Sequence, residues 1–221
     1  MNERGIALIA GLVLLAAISL LALISASGML LQKHMASNFQ QETQALENSE
    51  IAGSYASTWL FSRANHEREA DCVSNCVLPV AIMNSGAVSV RPEYENLAWW
   101  RENGVQAGTH PITAENLMSY GDSGSEPPHW IIEELYYQPL PLNALEDGTR
   151  GVAYYRVLGR GAGIHAAKVA VTESILARPW GGNYQLPEFW PGTNPAEFCR
   201  QFSEVSHPQF KCGRLAWRQR R

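Results

Sequence analysis

Gly121-Asp122-Ser123-Gly124 sets a serine in a glycine-flanked turn, a place where an acyl-transfer nucleophile can stand. Such a serine needs a histidine base, an acid that orients it and backbone donors for the oxyanion. His34, His66 and His110 precede it without a local pattern, and the chain before Ser123 holds too few strands to build such a site. A polar turn entering Pro127-Pro128 accounts for the same residues. Gly159-Arg160-Gly161-Ala162-Gly163 has the glycine density of a phosphate loop, but such loops open a helix. Ala167-Lys168-Val169-Ala170-Val171 follows here and reads as a strand. Glu146-Asp147 and Asp122/Glu126 offer carboxylates for calcium without completing a loop template. Cys72, Cys76 and His66 offer zinc ligands without a second ligand pair. The expectation is a protein that is not an enzyme and holds no metal or cofactor.

The elements that carry these residues begin with a membrane-length helix. From Gly5 to Gln32 there is no Asp, Glu, Lys, Arg or His. As a helix rising ~1.5 Å per residue, the stretch spans roughly 42 Å, enough to cross ~30 Å of hydrocarbon. It exceeds the roughly 7–15 apolar residues of a cleaved secretory signal. Leu31, Met35, Phe39, Leu46, Ile51, Tyr55 and Trp59 continue it at helical spacing with polar residues between, and no proline falls between residues 6 and 78. This is an amphipathic continuation, expected to pack on the chain's own head. Trp130–Tyr137, Gly151–Leu158 and Ala166–Ile175 read as strands, with Gly159, Gly161 and Gly163 as turn residues and Pro139 and Pro141 as a stop. The predicted fold class is α+β: a long N-terminal helix packed on a small antiparallel sheet, shaped like a lollipop.

Composition agrees with a folded domain on a membrane segment: 46% hydrophobic and 17% charged. The net charge of −4 is unevenly spread, since residues 200–221 carry six Lys/Arg against Glu204 alone, which is +5 there and −9 elsewhere. A basic tail can touch nucleic acid, anionic lipid or an acidic neighbour, and more often it is solvated. The cysteines form two local pairs, Cys72 with Cys76 and Cys199 with Cys212. An even number beyond a membrane suits disulfides in an oxidising compartment. Three pairings are open, and short loops favour 72–76 and 199–212.

A tiny charged leader, Gly5 and then an unbroken apolar helix resemble a type IV prepilin. Arg4-Gly5-Ile6-Ala7-Leu8, His34-Met35-Ala36-Ser37-Asn38, Glu50-Ile51-Ala52, His129–Leu135 and Tyr154–Gly161 together resemble the PilX-type minor pilins of type IV pili. The resemblance covers roughly residues 1–60 and 129–176. It implies cleavage after Gly5 by a prepilin peptidase and N-methylation of Ile6. It implies a helix including Ile6, Ala10 and Leu31 that leaves the inner membrane for a filament core. It divides the chain into a leader (1–5), a transmembrane and filament helix (6–32), its amphipathic continuation (33–66), a head (67–178) and a Pro- and aromatic-rich extension (179–221).

Two departures from that family carry meaning. Most major pilins have a glutamate where this chain has Ala10, and the usual account pairs that carboxylate with the amine of the preceding subunit. A subunit without a predecessor has no amine to meet. The expectation is therefore a minor pilin that helps initiate pilus assembly at or near the tip, with its C-terminal domain first in the periplasm. Its partners would be other minor pilins, the major pilin and a tip adhesin, with DNA the weaker candidate. The alternatives are a type II secretion tip pseudopilin and, in another class, a membrane-anchored periplasmic binding domain or hydrolase. The second departure is the extension itself, expected to be an aromatic flap over the sheet, pinned by Cys199–Cys212; the alternative is a tip surface for an adhesin, a neighbouring minor pilin or DNA, and one segment could do both.

Overall fold

The computed structural model describes residues 3–65, 68, 82–84, 91–117, 126–140, 148–164, 168–187, 196–205 and 210–220. The chain forms two compact units, Met1–Gln40 and Gln41–Arg221. One helix, α1 (Glu3–Ser62), contributes to both. Its first part carries no internal core: from Leu12 to Phe39 its large apolar side chains are exposed.

In the second unit, α1 meets a sheet. β1 (Ile82–Asn84), β3 (His129–Pro139), β4 (Gly151–Ala162), β5 (Val169–Trp180) and β6 (Gly213–Arg220) lie side by side in that order, and β2 (Val105–Gln106) also pairs with β3. β3 to β6 are antiparallel neighbours, whereas β1 runs parallel to β3. The predicted fold class holds: a long apolar helix and a mainly antiparallel sheet. β3 runs through Pro139, which pairs with Gly151, and the next amide, Leu140 N, still donates to the Arg150 carbonyl at 2.8 Å. β5 runs on past Ile175 through Pro179 to Trp180.

The turn assignment of Gly159 and Gly161 needs correction. Both lie inside β4, and a Cβ on either would collide with the α1 backbone around Ala45, Ser49 and Gly53. Gly163 is similar at the strand's end, where a Cβ would come within 2.7 Å of the Gln41 carbonyl. These residues are a groove cut into the sheet for the helix. The helix answers with small side chains: Ala45, Ser49, Ala52 and Ala56 are buried, at spacings of four, three and four. Of the large residues predicted to form the seam, Tyr55 and Trp59 are buried and Leu46 is half-buried, but Leu31, Met35, Phe39 and Ile51 are exposed. Close approach selects small residues, because dispersion contacts to a backbone need short distances.

Below the glycines, large residues fill the widening space. Trp59 lies with its ring centre 5.9 Å from that of Trp130, among Leu60, Ile132, Tyr155 and Val157. The end of α1 is held by Arg178 of β5, which is fully buried. Its guanidinium lies 3.5 Å from the Trp180 ring centre and donates to the Arg63 carbonyl and to Asn65 Oδ1. On the other sheet face, α2 (Leu97–Asn103) sets Trp100 against Ile131, Leu158 and Val171. Asn96 caps α2, accepting from the Trp99 amide at 3.0 Å. Trp99, partly buried, packs against the same cluster.

Candidate functional site

The most exposed apolar surface among the described residues is the first part of α1. Leu23 is 70% exposed, and an 18-residue window of this helix has a mean hydropathy of 2.3 with none of it buried. Among the described residues none covers these side chains. Such a helix suits lipid or the packed helices of an assembly. Gly5 and Ile6 lie in the helical backbone of α1, and Ala10 and Leu31 are exposed on it.

The second candidate surface is the C-terminal clasp of the other unit. α3 (Ala196–Val205) packs Phe198 edge-on against Phe61, with ring centres 5.4 Å apart, and Tyr184 edge-on against both Phe198 and Phe202. The disulfide Cys199–Cys212 ties α3 to the residue before β6. The expected aromatic flap is therefore present, but sequence reasoning missed that the extension also adds a strand. The alternation of Arg214, Leu215, Ala216, Trp217 and Arg218 is broken by charge on both faces, which hides its β pattern.

The basic tail is largely paired within the chain. Arg218 meets Glu173 at 2.8 Å, and Arg220 bridges Glu173 at 2.5 Å and Glu93 at 3.0 Å. Trp217 Nε1 donates to Glu50, and Arg214 lies 3.6 Å from the same carboxylate. Glu50, predicted only as part of a helical motif, thus ties β6 to α1. A cleft of about 690 Å³ opens beside this tie, between α1, the sheet and α3. Two hydroxyls on its walls are already donating, Ser57 to Gly53 O at 2.8 Å and Thr172 to Ser49 O at 3.3 Å.

Among the described residues there is no group of three or more His, Cys, Asp or Glu arranged to hold a metal. Glu126, considered for calcium, pairs with Arg160. His110 caps a loop, its Nδ1 accepting from the amides of Ile112 and Thr113. His129 is buried, and desolvation holds its pKa below the usual histidine value. Ser123 with Asp122, Glu146-Asp147, His66, Cys72, Cys76 and Tyr120 lie outside the described residues.

Residues 4–51 match the PilX N-terminal family. That span covers the exposed apolar helix and reaches the buried seam through Glu50. By this match the N-terminal part of the chain is similar to PilX-type type IV pilins. No curated relative and no solved structure matches it. The match supports a likeness to type IV pilus minor pilins over residues 4–51, and the apolar helix suits membrane anchoring with the remaining domain carried C-terminally.

Proposed function

We propose that this chain is a minor pilin that helps initiate type IV pilus assembly, standing at or near the filament tip with other minor pilins. The observation that carries the reading is Ala10, an uncharged residue in the apolar run at the place where the related major pilins carry a carboxylate. A carboxylate there without a partner amine costs about 2.5–3.5 kcal/mol in hydrocarbon. Alanine avoids that cost in a subunit with nothing ahead of it. The amine of Ile6, freed and methylated after cleavage behind Gly5 by the prepilin peptidase, remains available to the carboxylate of the next subunit. Before assembly the protein would sit in the inner membrane with its C-terminal domain in the periplasm.

Two measurements test this. Mass spectrometry of the mature protein should show loss of residues 1–5 and a methyl group on Ile6; an intact Met1 would reject the pilin route. Ala10→Glu should lower pilus number and capture of other minor pilins. Unchanged piliation with unchanged capture would reject the tip position.

A further inference from the structure

β6 is the last strand in the sheet order, and among the described residues no strand pairs with its outer edge. Proteins usually blunt such edges by shortening them or covering them. β6 is not short, and among the described residues nothing covers it: it has eight residues, and the run Arg214–Arg218 is exposed throughout. The middle of that run is apolar, Leu215, Ala216 and Trp217, and the arginines at its ends have side chains 56% and 64% exposed.

Elsewhere the sheet joins its strands with Glu–Arg pairs set directly opposite one another. Glu133 of β3 faces Arg156 of β4, and Glu173 of β5 faces Arg218 of β6. Arg218 meets Glu173 of β5, and Arg214 and Trp217 meet Glu50 of α1, yet all three stay exposed, so β6 still presents an arginine-flanked apolar centre to solvent. A second copy of the chain is a poor occupant. Antiparallel self-pairing centred on Ala216 sets Arg214 opposite Arg218, and centring on Trp217 sets Arg214 opposite Arg220. Like charges directly opposite are destabilising.

We infer that the outer edge of β6 receives an extended, acidic segment of another protein as an added strand. Main-chain hydrogen bonds would supply the affinity, the apolar centre would supply burial, and carboxylates opposite Arg214 and Arg218 would select the partner. The inference concerns the edge alone and stands apart from where the subunit sits in a filament.

The test uses the full chain in detergent micelles and fluorescent peptides of the length of β6. One alternates valine with glutamate, one alternates valine with lysine, and one is the acidic peptide interrupted by a central proline. The uninterrupted acidic peptide should bind at least about tenfold more tightly than either control and slow amide exchange over residues 213–220. Arg218→Gln should weaken that peptide about threefold, and Arg218→Lys should restore most of the loss. Equal binding of the proline-interrupted peptide would leave charge alone and overturn strand addition. So would absent binding, protection elsewhere in the chain, or peptide-free dimers protected over the same amides.

Discussion

The two ends of α1 are written in different alphabets. Before Gln40 the helix is built of large aliphatic residues, and they are exposed. After it, the residues that touch the sheet are mostly Ala, Ser and a few aromatics, and they are buried. Leu23 is 70% exposed and Trp59 is 1% exposed on one continuous helix. The contrast separates two kinds of complementarity. The second part fits a surface this chain makes for itself, glycine by glycine. The first part has uniform grease around its circumference, which suits lipid and helices of other subunits but specifies no single partner face.

The sharpest way to break the contrast is to fill the groove. Gly161→Ala would place a methyl group against the α1 backbone at Ala45 and Ser49. Neither side can move without lifting the helix from the sheet. The expected loss is about 3 kcal/mol or more, read as a lowered urea midpoint for the unit Gln41–Arg221 in the full chain. A variant that melts like the parent would mean that the helix does not rest on Gly161.

A substitution in the other part of α1 should do the reverse. Ile18→Asp costs about 3 kcal/mol on membrane insertion scales, so the fraction resisting carbonate extraction should fall. Ile18 is exposed and touches no core, so the urea midpoint of the other unit should stay within about 0.5 kcal/mol of the parent. Loss of both properties together would show that the two ends of the helix are coupled in stability.

Legibility in the sequence followed the same divide. The apolar run was plain because absence of charge over a membrane length has few other meanings. Three of the strands were recognisable from Val, Ile and Tyr alternation, though β4 was cut short at Leu158 because glycine normally signals a turn. Gly159 and Gly161 are strand residues for a reason held on another element, the backbone of α1, and local pattern cannot carry that information. Ile51 was misplaced for the matching reason: a periodicity count favours large residues, while the groove favours Ala45, Ser49, Ala52 and Ala56. The Cys199–Cys212 pair was readable from loop length. The strand status of β6 was not, because its arginines are matched by Glu50, Glu93 and Glu173, which lie far away in sequence.

The smallest expected effect is a pH dependence confined to the sheet. His129 is buried on β3 and paired across to Arg160. Desolvation lowers its pKa most; Arg160 and Arg101 lower it further, while Glu126 and the Pro127 backbone act in the raising direction. Because the folded pKa lies below the unfolded value near 6.5, the unfolded chain binds the extra proton first as pH falls. Stability contributed by the neutral imidazole is therefore present above about pH 6.5 and declines below it, by at most about 1.4 kcal/mol per pH unit. Urea midpoints at pH 7.5 and 5.5 should differ in that direction, and His129→Gln should flatten the difference. The exposed half of α1 holds no ionisable group between Gly5 and Gln32, so carbonate-independent detergent partitioning of the same samples should not change over this range. An unaltered slope in His129→Gln would assign the acid sensitivity to other groups, with the Arg160–Glu126 pair the next to replace.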